Sequence, residues 1–173
     1  MQVKDEGRDF EPIPTGGQQA VCSGNYNLGM QPGFAGKMQH KVALVWELDE
    51  LRKEGEFAGE RFIVCKTYNA TLNERSNLSK DLESWRGRGF TKEEREGFEL
   101  DAVVNTNCNL NMVAKTNDSG KTYVNIAGIT GLQKGQSKMK VMKPGYVPKW
   151  IEAMITGNNG APSPDDFHDD IPF

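Results

Sequence analysis

The chain of 173 residues has few cysteines, few histidines and no long apolar run. A membrane-crossing helix needs roughly 18 or more consecutive apolar residues, and no stretch approaches that, so no span is expected. The three cysteines (Cys22, Cys65, Cys108) are far apart, odd in number and without C-x-x-C spacing. Zinc sites and disulfide frameworks need other patterns, so buried free thiols in a reducing cytoplasm are expected. Histidine occurs twice, at His40 in a strand-like stretch and at His168 among aspartates. His40 reads as a partly buried strand residue and His168 as a solvated one. No nucleophile motif, metal-ligand cluster or glycine-rich cofactor loop occurs. The carboxylate pairs Glu93–Glu94 and Asp165–Asp166 are sequence neighbours, not groups opposed across a cleft as acid–base catalysis requires. The expectation is a non-enzymatic protein that needs no cofactor or metal. The opening MQVKDEGRDF is acidic and polar, unlike a signal peptide. NDSGKT (117–122) resembles a phosphate loop, but the motif needs glycine five residues before Gly120 and position 115 is Lys. The stretch also lies between two strands, so it reads as a hairpin tip.

What is present is a charge pattern. Hydrophobic residues make up 36% and charged ones 26%, the balance of a soluble globular chain. The net charge of −3 is unevenly spread. Residues 165–173 carry four aspartates and no base, whereas residues 12–160 hold 16 acids and 19 bases. The stretch KGQSKMKVMKPGYVPKW (134–150) has five lysines and no acid. The chain therefore reads as a mildly basic body between acidic ends. Residues 1–15 read as a flexible arm, 16–155 as one folded unit, 156–164 (TGNNGAPSP) as a linker and 165–173 as an acidic tip.

Within the body, residues 18–30 read as a first strand with Gly24 at a bulge. QPGFAGK (31–37) is a turn-rich loop, and 38–48 alternates as a second strand through Met38, His40, Val42, Leu44, Trp46 and Leu48. Residues 60–72 read as a third strand. The period then changes. Ser76 is a helix N-cap, Leu78, Leu82 and Trp85 share one face, and Gly87 ends the helix. Thr91 and Glu94 form a capping-box pattern. Strands follow over 108–116 and 121–132 around an NDSG turn, then a short helix over 147–155. The expected class is all-β with a helical insertion. Five strands with a helix between the third and fourth is the order of the OB-fold, a five-stranded, partly open Greek-key barrel.

Three groups of side chains suit nucleic acid, where cations meet phosphates and aromatics stack on bases. WRGRGF (85–90) offers Arg86, Arg88 and Phe90, with Trp85 the better core candidate. KTYNATLNER and KTYVN place Lys66 with Tyr68 and Lys121 with Tyr123 on shared strand faces. Lys115 and Lys121 flank the hairpin joining the fourth and fifth strands, and Lys134, Lys138 and Lys140 extend the basic surface. Each group also has a bland reading: a solvated helix end, barrel tyrosines with wet hydroxyls, a solvated charged segment.

The ending DDFHDDIPF resembles the acidic C-terminal tip of bacterial single-stranded DNA-binding proteins. The matching residues are Asp165, Asp166, Phe167, Asp169, Asp170, Ile171, Pro172 and Phe173, with His168 where an acid is more usual. YNATLNERSNLSKDLESWRGRGFT and GKTYVNIAGI resemble phage-encoded OB-fold proteins taken to bind single-stranded DNA. Together the resemblances imply a protein that binds and protects single-stranded DNA in a bacterial host cytoplasm. Its tip would recruit replication and repair proteins of host or phage. The chemistry agrees: Phe173 can fill a partner's pocket, its carboxylate can meet a cation at the rim, and Pro172 limits the entropy lost on docking. The aspartates would steer the tip toward basic patches. A linker of this length has an r.m.s. reach of roughly 15–18 Å, so the tail can also fold back onto the body when DNA is absent. The alternative is an adaptor that carries the tip to divert host partners without binding DNA. Oligomeric state is open, a homo-oligomer included.

Overall fold

The computed structural model describes residues 11–156. They form a mostly β unit built on one open five-strand antiparallel sheet, with few helices. The strands are β1 (Gly16–Pro32), β2 (Met38–Leu51), β3 (Arg61–Asn69), β4 (Asn107–Thr116) and β5 (Thr122–Thr130). The helices are α1 (Asn77–Arg86), α2 (Lys92–Glu96) and α3 (Lys149–Ile155). The strand order is β3-β2-β1-β4-β5, so β1 pairs on both sides and β3 and β5 are the edges. A bulge shifts the register between Cys22 and Gly24, where the sequence predicts one. No helix among the described residues is long and apolar enough to cross a membrane.

Period-two alternation decides what each sheet face carries. Ala20, Cys22, Leu44, Trp46, Phe62, Val64, Cys108, Leu110 and Met112 are buried on the core face. Helix α1 covers that face. Ser79 N–H donates to the Ser76 hydroxyl at 3.1 Å to cap the first turn. Gly87 ends the helix at φ 75°, a left-handed conformation that favours glycine. Leu78, Leu82 and Trp85 are buried, and the Trp85 ring lies 6.1 Å from that of Trp46. The Trp85 indole N–H donates to the Asn107 carbonyl at 2.8 Å.

On the outer face, α3 buries Trp150 and Ile151 against Leu28, Ala43 and Val45. Beside it, residues 133–143 lie as a strap across one row of the sheet. The strap is held by polar side chains that alternate with core residues. Asn107 donates to the Met139 carbonyl (2.9 Å) and accepts from its N–H (2.7 Å). Gln19 donates to the Ser137 carbonyl. The buried Glu47 carboxylate accepts from Met142 N–H (2.8 Å), Lys143 N–H (3.0 Å) and Arg61 (3.0 Å). Pairing between Val21 and both Glu47 and Asn107 puts these anchors in line.

Two expectations need correction. The flexible arm expected over 1–15 is fixed at its end, because Ile13 is buried in the core and Glu11 accepts from the N–H groups of Lys53 and Glu54. His40 is exposed rather than partly buried. The β1–β2 hairpin runs on past the last β2–β3 pair, Lys41 with Asn69, and the Ala70 N–H just beyond β3 donates to the His40 carbonyl at 2.8 Å. Its Nε2 lies 2.7 Å from Asn27 Oδ1. The expected linker beyond Thr156 and the tip 165–173 lie outside the described residues.

Candidate nucleic-acid interface

Several predicted contact residues serve the fold. Tyr68 is 2% exposed. Its hydroxyl donates to Asp81 Oδ2 of α1 at 2.7 Å. Burial first, then the Asp81 carboxylate, pushes its pKa well up. A ring so placed cannot stack on a base, which corrects that expectation. Lys66 faces the same way. Its ammonium donates to Asp81 Oδ2 at 2.8 Å and to the Ile126 carbonyl of β5 at 3.3 Å. Lys66 and Tyr68 do share a strand face, but it is the core face.

Arg86 is also engaged. It makes a two-point contact with Glu94 (2.7 and 2.8 Å), donates to the carbonyls of Arg88 and Gly89, and lies 4.0 Å from the Phe90 ring centroid. The bond to Glu94 raises the Arg86 pKa and, joined by the Thr91 N–H, lowers that of Glu94 to about 2. The capping box predicted at Thr91 and Glu94 is present. Phe90 packs edge-on to Phe98 at 5.3 Å and against the core. Arg86 and Phe90 therefore join α1 to α2 rather than present a stacking platform. Arg88 differs: its side chain is 67% exposed and lies 3.6 Å from Glu94.

The remaining candidates lie on the surface. Lys115 is exposed near the end of β4 and pairs in register with Tyr123 of β5. Lys121 and Tyr123 are half-buried and have contacts within the chain. Lys134, Lys138 and Lys140 are exposed on the strap, while Met139 between the last two is buried. Anchoring the strap's backbone thus presents lysines outward. From Ser119 to Ile151 the chain has six lysines and no acid. Strands β1, β4 and β5 contain no Asp or Glu at all. Lys143 pairs with Glu60, and the exposed Lys134, Lys138 and Lys140 are the strap cations turned toward an outside anion.

Sequence reading overlooks one feature, the tip of the β1–β2 hairpin. Phe34 is 90% exposed, beside Met30 and Met38 at 56% and 55%. QPGFAGK identifies a turn; that the turn projects beyond the sheet comes from register. The two hairpin tips leave β1 at opposite ends, since Gly16 pairs with Met112 and Pro32 with Met38.

A cavity of about 90 Å³ opens between residues 52–60 and Tyr146, with Phe57, Ile63 and Cys65 in its wall. Its Arg61 and Lys143 are ion-paired with Glu47 (3.0 Å) and Glu60 (2.9 Å). A second, of about 230 Å³, is walled largely by Leu82, Trp85, Phe98 and Val103. Among the described residues no group of three or more His, Cys, Asp or Glu is placed to hold a metal. No family model matches the chain, and no curated protein matches it.

Proposed function

We propose that the protein binds and protects single-stranded DNA with little sequence preference, and recruits replication and repair proteins through its C-terminal tip. One observation carries the DNA half of this reading: the acid-free strands β1, β4 and β5 and the exposed lysines of the strap form a basic surface on a chain of net negative charge. Phosphate neutralisation supplies most non-specific affinity, and that surface supplies the cations. The tip half rests on the DDFHDDIPF sequence. The fold that accompanies the reading is a partly open Greek-key barrel of OB type. It is supported by the order β3-β2-β1-β4-β5 and by the Lys66 contact from one edge strand to the carbonyl of Ile126 on the other.

The test is fluorescence anisotropy with labelled oligothymidine and a matched duplex across a salt series. Strong single-strand binding that falls steeply with salt, with weak duplex binding, is expected. Lys138→Ala with Lys140→Ala should reduce the log–log salt slope by about 1–2. Absence of binding by both the full chain and one lacking residues 165–173 would leave the adaptor reading.

A further inference from the structure

The outer face of the sheet is not uniform, and the difference bears on where a strand would lie. Over β1, β2 and β3 it is taken up by α3, whose Trp150 and Ile151 sit on Leu28, Ala43 and Val45. The strap covers the adjoining row through Asn107, Gln19 and Glu47. That half gives a polyanion little surface to follow.

Over β4, β5 and the start of β1 the outer face is open. In register, Asn111 stands between Gly17 and Gly128, Val113 opposes Asn125, and Lys115 opposes Tyr123. These residues alternate with the buried Leu110, Met112 and Ile126, so they share the outer face. Asn111, Asn125, Lys115 and Gly17 are exposed. Gly128 stands at the bulge that shifts the β4–β5 register between Asn111 and Met112, whereas Gly17 pairs with Asn111 without a shift. Neither has positive φ, and a Cβ built on either meets nothing within 4 Å. Glycine inside a strand weakens it, and one reason to find it there is close approach by a ligand or another backbone.

We infer that single-stranded DNA lies along the outer face of β1, β4 and β5, on a lane floored by Gly17, Asn111 and Gly128. This rests on the single-strand reading above. Lys115, Lys121 and Tyr123 stand at the hairpin end of the lane, and Lys134 and Lys138 on the strap stand near the other. From Asn109, which binds Gln136 of the strap, to Lys115 the lane runs about 20 Å at strand rise. The missing side chains at the two glycines let the sugar-phosphate chain approach the sheet. The lysines neutralise phosphates, Asn111 and Asn125 supply sequence-tolerant hydrogen bonds, and Tyr123 offers one ring for a base. The nearest acid in the hairpin is the exposed Asp118 at its tip. The Phe34 hairpin offers a ring at the far end of β1 but no comparable run of cations.

Two experiments test the lane. Gly17→Val and Gly128→Val each add a β-branched side chain that suits a strand and stands up into the lane. Thr67→Val, which keeps a β-branched side chain of the same size, alters the outer face of β3 away from the lane. With wild type binding oligothymidine, the glycine variants should lose roughly tenfold or more in affinity at unchanged melting temperature, and Thr67→Val should bind as wild type. Wild-type affinity in both glycine variants would overturn the lane and leave the single-strand reading standing. No binding by wild type would remove both. Because a variant can misfold, the unaltered protein is also photocrosslinked to oligonucleotides carrying halogenated uracil. Crosslinks are expected at Tyr123; crosslinks confined to the Phe34 hairpin would overturn the lane.

Discussion

Asp81 links three parts of the molecule through one carboxylate oxygen. It accepts from both Lys66 and Tyr68 on β3 while α1 carries it, and Lys66 reaches on to β5. Side-chain exposures of 23% and 17% mean that water screens the Lys66–Asp81 pair only partly. Asp81→Ala leaves a half-buried ammonium and a buried hydroxyl without this acceptor, and should cost about 2–4 kcal/mol in urea unfolding. An unchanged midpoint would refute that role. Lys66→Ala should likewise lower stability while the folded protein keeps single-strand affinity within about twofold. Glu94 yields a pH prediction. Its carboxyl pKa is lowered from 4.5 to about 2 by the bond from Arg86. A carboxyl depressed in the folded state stabilises fully above its unfolded value and progressively less as pH falls toward the folded one. The stability gap between wild type and Glu94→Gln should therefore be present at neutral pH and close between pH 4.5 and 2. A gap that persists at the acid end would contradict this.

At the scale of elements, local chemistry was legible and facing was not. Ser76, Gly87, Thr91 and Glu94 announce their helix ends because a cap is made within a few residues of itself. The KTYNA spacing puts Lys66 and Tyr68 on one face, but which face meets the core depends on α1 and β5, which come later in the chain. Arg86 reads as a surface cation until α2 turns back and supplies Glu94. The strap was the least legible element. Residues 133–143 have no period because their backbone bonds go to side chains of β1, β2 and β4 rather than to a ladder. Glu47→Gln keeps the shape but weakens a charge-assisted contact to two backbone N–H groups. It should speed hydrogen exchange at Met142 and Lys143 while leaving β4 and β5 protected. Uniform loss of protection across the sheet would mean that Glu47 supports the whole fold instead.

At the scale of the molecule, the arrangement separates support from surface. Cations on the core side of β3 and at the α1–α2 junction are spent on Asp81 and Glu94. Those of the strap lie in acid-free sequence, and those of the β4–β5 hairpin have only Asp118 of the hairpin tip beside them in sequence. Charge removal at the two groups should therefore give different phenotypes: stability loss at Lys66 and Arg86, and reduced salt dependence of single-strand binding at Lys138 and Lys140. A scan in which both groups changed affinity alike would argue against that division.

The sequence by itself determined the strands, the helix caps, the Gly24 bulge and the acidic ending, since each is written in neighbouring residues or in composition. Only the tertiary structure decided which of two sheet faces each strand buries, which lysines find a carboxylate, and that the Phe34 hairpin projects past the sheet. Those outcomes depend on partners far away in the chain. Alternation marks two faces as different without saying what will cover either of them.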